Sequence, residues 1–202
     1  MIKHIVSALL LGIGAGYLNS NWGSIDAGSW VSDYMFNGAL IALLFVMGLV
    51  FGLDKESVGK MRKTGLKILV IPLAVALGSI LGGTVSGLVL GLDVVKTMAV
   101  TAGYGWYTLA GPMVGQLFGA HWGALGFVVN FLRELLTIVT ISLTARIDKY
   151  VPIALGGATT MDTTLPVIVR YCGFDSLIAA FSSGFTLSMA APFTIITIAT
   201  LR

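Results

Sequence analysis

Arg133 and Glu134 stand side by side near the middle of Trp122–Thr144, a 23-residue stretch with no other charge. Such a stretch is long enough to cross a bilayer, and ionisable groups at that depth are expensive. They usually mark a route for an ion, a proton or a charged solute. The competing explanation is a neutralised Arg–Glu pair that only holds helices together. Asn130 and Thr137 fall at i−4 and i+3 of Glu134 and extend one polar stripe along a helix face. The stripe favours the pathway.

Two further segments carry polar groups where a membrane helix would be interrupted. Lys96–His121 contains GYGWYTLAGPMVGQ, which sets Tyr104, Trp106, Tyr107 and Thr108 among Gly103, Gly105, Gly111 and Pro112. Aromatic rings beside a wet cavity can hold a cation over their faces or donate a hydroxyl. Val151–Gly173 contains PIALGGATTMDTTLPVIVRYCG, with Thr159, Thr160 and a second acid, Asp162. Asp162 is either a site acid or a cap on the half-helix that follows it. Asp54, which ends an apolar run, is a third candidate acid. The breaks free backbone groups that are tolerated at membrane depth only inside protein or beside water. Broken helices of this kind build transporter sites.

These residues sit in a chain of 202 residues that is 56% hydrophobic and 10% charged. Its mean hydropathy is +0.95. This composition identifies an integral membrane protein. The net charge of +3 is too small and too confined to loop ends to mark a nucleic-acid binder. The lone Cys172 allows no internal disulfide and matches no metal-ligand spacing. No hydrolase, metalloprotease or P-loop motif occurs, so neither an enzyme nor a cofactor is expected, and transport would draw on an ion or proton gradient. Glu134 is the candidate carrier of a coupling proton, and the neighbouring Arg133 opposes its protonation.

The predicted fold is all-α, a single transmembrane transport domain over residues 1–202. About five full spans are expected: Ile5–Leu18, Tyr34–Leu53, Ile68–Leu92, Trp122–Thr144 and Ser176–Leu201. Gly83, Gly87 and Gly91 recur at four-residue spacing in the third, which suits close helix packing. The two broken segments either cross or enter and return. The positive-inside rule decides between these options. If both cross, seven basic residues lie inside and Lys96, Arg146, Lys149 and Arg202 lie outside. If both are re-entrant, nine lie inside (Lys3, Lys55, Lys60, Arg62, Lys63, Lys67, Arg146, Lys149, Arg170) and only Lys96 and Arg202 outside. Two re-entrant hairpins from opposite faces, related as inverted repeats, are therefore expected. The N-terminus is then cytoplasmic and the C-terminus outside. The loops Asp54–Lys67 and Ala145–Tyr150 face the cytoplasm.

GYGWYTLAGPM, FLRELLTIV and ALGGATTMDTTLPVIVR, in this order and spacing, resemble the LysO-type lysine exporters over nearly the whole chain. The resemblance implies a secondary transporter in the inner membrane. It would export L-lysine or another cationic amino acid from the cytoplasm in exchange for protons. It places the family's intramembrane acid at Glu134 and the T-M-D-x-T-L-P run at Thr160–Pro166, with Thr159 just before it and Asp162 as its acid. Fuller members begin with a further helix bundle that carries another important acid. Asp54 could stand in for that acid, or a homodimer partner or a small separate membrane protein could supply it. A cation/proton antiporter or channel component, and a membrane scaffold without transport of its own, are the alternatives.

Overall fold

The computed structural model describes residues 69–201 continuously and scattered helical positions between 7 and 59. By its internal contacts the chain divides into two compact units, Met1–Leu53 and Asp54–Arg202. Asp54 and, but for Gly59, the Asp54–Lys67 loop lie outside the described residues, and the expected spans Ile5–Leu18 and Tyr34–Leu53 are described only at scattered helical positions. The second unit is all-helical over its described length, and three of its helices are long and apolar enough to cross a membrane.

The chain runs through α1 (Val70–Leu90), α2 (Val94–Thr101), α3 (Tyr107–Phe118), α4 (Ala120–Ile147) and α5 (Val151–Gly156). A 3-10 turn (Gly157–Met161) follows, then α6 (Leu165–Cys172), a short 3-10 turn (Phe174–Ser176) and α7 (Leu177–Ala199). Helix α1 has 21 residues, α4 has 28 and α7 has 23. At 1.5 Å per residue each can cross a hydrocarbon core of about 30 Å. Helices α2, α3, α5 and α6 cannot, with 8, 12, 6 and 8 residues.

Both broken segments enter and return. Asp93 starts α2 by accepting from the Val95 and Lys96 amides at 3.0 and 3.2 Å. Lys96 pairs with Asp93 at 3.1 Å, and that contact holds the Asp93 carboxyl below its usual range. The Lys96 ammonium also sits 5.6 Å from the ring centre of Trp122, at the start of α4. Helix α2 therefore begins at the same end of the bundle as α4. It packs back against Gly83 and Gly87 of α1, where any added Cβ would run into Thr97 or Thr101. The glycine spacing in α1 thus serves packing within the chain. Helix α3 then returns antiparallel to α4, with Gly111 and Gly115 against Gly123.

The second hairpin enters from the other end. Helix α5 follows α4 after a short turn and packs Ile153 on Ile141, together with Ile168 of α6 and Ala180 of α7. The last residue of α6, Cys172, lies within electrostatic reach of Asp148 just beyond α4. So α6 goes back to the end from which α5 came. A long helix followed by a half-depth hairpin occurs twice, in opposite orientations, as α1–α2–α3 and α4–α5–α6. This is the inverted arrangement that the sequence predicts.

Cysteine labelling tests the hairpins in a Cys172→Ser background. Cysteines at positions 92 and 121 are expected to react from one side of the membrane, and those at 149 and 174 from the other. Reaction of 92 and 121 from opposite sides would show that the first segment crosses.

Candidate functional site

The two hairpin tips meet against one stretch of α4. Its Asn130, Glu134, Thr137 and Ile141 face inward, as the polar stripe predicts, and all four are buried. Each of the charged or amide groups on this stretch does something different.

Asn130 holds the first tip. It is 2% exposed. Its Oδ1 accepts from the Gly105 amide at 2.7 Å, and its Nδ2 donates to the Val100 and Gly126 carbonyls at 2.8 Å. The amide thus replaces partners that the helix break between α2 and α3 takes away. Asn130→Ala is expected to leave the Gly105 N–H buried and unpaired, at about 1–3 kcal/mol, while the Val100 carbonyl keeps the Gly103 amide. Thermal unfolding in detergent measures the loss. A variant with the native melting point would show that Asn130 does not hold the tip.

Arg133 braces the second tip. Its Nε donates to the Leu155 carbonyl at 2.8 Å, one terminal nitrogen to the Ala154 carbonyl at 3.0 Å, and the other to Ser79 Oγ at 2.8 Å. A guanidinium is well placed here, because the last carbonyls of α5 carry the negative end of the helix dipole. No ion pair joins Arg133 to Glu134 among the described residues. The neutralised pair is therefore not what holds these helices.

Glu134 is 8% exposed, and its Oε2 is buried with no hydrogen-bond partner. An ionised oxygen in that position is costly, and a proton or an ammonium group relieves the cost. The Tyr107 hydroxyl lies close enough for the charges of both Glu134 and Asp162 to act on it. Tyr107 is itself wedged edge-on between Phe127 and Phe131, with ring centres 5.4 and 5.5 Å away. Asp162 is exposed, and its Oδ1 accepts from the adjacent Thr163 amide at 2.6 Å. It does not cap α6: Thr164 occupies the N-cap position, with no side-chain cap bond. Glu134, Tyr107 and Asp162 form one electrostatic neighbourhood, drawn from α4, the start of α3 and the second tip.

The remaining candidates serve the tips themselves. Thr159 Oγ1 donates to the Gly156 carbonyl at 3.0 Å and lies 3.3 Å from Thr164 Oγ1. Thr160 Oγ1 lies 2.8 Å from both the Gly157 and Ala180 carbonyls, which ties the turn to α7. Trp106 is half-buried at the N-cap of α3. Tyr104 is 1% exposed and adopts φ +53, a left-handed conformation that side chains rarely take. Its carbonyl accepts from the Ala158 amide at 2.8 Å, and its hydroxyl lies beside the Thr194 side chain of α7. The Tyr104–Ala158 bond joins the two tips directly. Sequence reasoning missed Ser79 and Thr194. A lone hydroxyl such as Ser79 midway along an apolar run was the available signal.

Residues 6–199 match the family model described as lysine exporter LysO. Among curated proteins, the chain is 33% identical over 156 residues to "Lysine exporter LysO" of Escherichia coli, covering 76% of this chain and 51% of that one. It is 28% identical over 194 residues to "Putative lysine exporter" of Haemophilus influenzae, covering 95% of this chain and 94% of that one. The chain thus spans about half the length of the first relative and nearly all of the second. No solved structure matches it. With a family model matched from residue 6 to residue 199, on a fold of spanning helices and opposed hairpins, the chain belongs to the lysine exporter LysO family.

Proposed function

We propose that this chain exports L-lysine across the inner membrane in exchange for protons, with Glu134 as the group that binds them in turn. The observation that carries the reading is the buried, unpartnered Oε2 of Glu134 where the two tips converge. A proton and an ammonium group both relieve the unpartnered carboxylate oxygen, and each excludes the other. That exclusion is the minimum requirement for antiport. Tyr107 supplies an adjacent hydroxyl and an aromatic face, and Asp162 supplies a second negative charge. Asn130 and Arg133 keep the tips in register with Glu134.

In this reading the second hairpin opens from the cytoplasm, because Arg146, Lys149 and Arg170 lie at its end of the bundle. The membrane orientation and the exchange with protons both rest on this reading. A further acid, from Asp54 or from a partner copy, would complete the pathway.

The test is labelled lysine uptake into inverted vesicles or proteoliposomes, with and without a pH gradient. Uptake is expected, and a gradient acidic inside is expected to accelerate it. Uptake indifferent to the gradient would remove the proton. Absence of lysine uptake, with proton flux driven by another cation, would favour a cation/proton antiporter. No flux of either kind would leave a scaffold.

A further inference from the structure

A second feature lies on the Arg133 side of the tips. A cleft of about 460 Å³ opens between α1 and α5, within the size range of small-molecule sites. Gly78 and Ser79 of α1 line one wall, and Tyr150, Ala154 and Leu155 line the other. The lining begins at the Val70 end of the bundle, and Arg133 stands at its inner end. The walls are otherwise apolar.

A guanidinium carries five N–H donors, and the three bonds of Arg133 use one on each nitrogen. One donor on each terminal nitrogen remains. Each of these N–H groups can donate a charge-assisted bond to a carboxylate oxygen. Arg133 also has no ion-pair partner among the described residues, although a cation at mid-membrane depth calls for an anion. The occupant that fits both the charge and the apolar walls is a small aliphatic carboxylate.

We infer that this cleft is a carboxylate-reading station for the transported amino acid, with the α-carboxylate on Arg133 and the aliphatic stem along α1. The inference rests on the lysine-export reading above and deepens it. Arg133 and Glu134 leave α4 toward different neighbours, so the carboxylate is read in the cleft and the ammonium at Glu134.

The experiment uses the full chain in proteoliposomes and labelled L-lysine, with cadaverine and 6-aminohexanoate as competitors. Cadaverine lacks the carboxylate, and 6-aminohexanoate keeps it without the α-ammonium. In the wild-type protein, 6-aminohexanoate is expected to compete roughly 10- to 100-fold better than cadaverine, the range of charge-assisted hydrogen bonds. Arg133→Gln is expected to erase that difference.

Arg133 also braces the second tip, so a second variant leaves it intact. A Cβ on Gly78, which lines the cleft, meets nothing within 4 Å, so Gly78→Leu starts in open space and extends a side chain there. It is expected to raise the KM for lysine at least about tenfold while the protein melts normally. Wild-type affinity in Gly78→Leu, or unchanged competitor selectivity in Arg133→Gln, overturns the inference and leaves a lipid-filled groove beside a structural arginine. Those outcomes leave lysine export standing. A wild-type protein that moves no lysine overturns the export reading and this inference together.

Discussion

Glu134→Gln is expected to abolish gradient-driven lysine flux while the protein melts within a few degrees of wild type. Glutamine keeps the volume of the side chain and its hydrogen-bonding capacity but removes the charge that exchanges a proton for an ammonium. The stability half of the expectation comes from the geometry. Had Glu134 neutralised Arg133, its loss would leave a buried, unpaired cation, at roughly 3–5 kcal/mol. Arg133 instead spends its bonds on two carbonyls and Ser79. Glu134 Oε2 has no partner to lose. Flux and melting temperature on one preparation decide the matter. Normal flux would remove Glu134 from the mechanism, and lost flux with collapsed stability would return it to a structural role.

The largest expected loss of stability is at Gly157. This residue has φ +63 and ψ −124, and a Cβ on it would run into the Tyr104 carbonyl. That carbonyl is the acceptor of the Ala158 amide, the bond that joins the tips. Gly157→Ala therefore combines a strained backbone, about 1–3 kcal/mol, with a clash against main chain that cannot move without breaking the tip contact. The sum is expected to exceed about 4 kcal/mol, enough to unfold a marginal domain. Gly82→Ala is the control. Nothing lies within 4 Å of a Cβ there, inside a regular helix. It is expected to be neutral or to stabilise by up to about 1 kcal/mol. Similar melting temperatures for the two variants would show that the tips do not depend on their contact.

The contrast between these glycines shows where sequence reading stops. Both occur in the same apolar background, and composition treats them alike. Only the approach of a second hairpin makes one of them irreplaceable.

The spanning helices were legible because membrane burial acts through length and hydropathy, which are local properties. Ile68–Leu92, Trp122–Thr144 and Ser176–Leu201 anticipate α1, α4 and α7 within a few residues at each end. The breaks were legible because Gly, Pro and hydroxyl residues interrupt helices by local chemistry. Their re-entrant course followed from the distribution of lysine and arginine, which reports the energetics of insertion rather than of packing. The inward face of α4 followed from the helical period alone.

What only the tertiary structure decided is where the polar groups on that face find partners. Arg133 and Glu134 are adjacent in sequence, which invites an ion pair, but consecutive residues on a helix point about 100° apart and do not face each other. Asn130 and Arg133 bind backbone amides and carbonyls of hairpins 20 to 30 residues away. Every residue carries such groups, so no side-chain pattern could announce these contacts. The left-handed turn at Tyr104 and its bond to Ala158 are of the same kind. The residue types of the site were therefore written along the chain, whereas the division of labour between bracing the tips and meeting a ligand came from long-range backbone contacts.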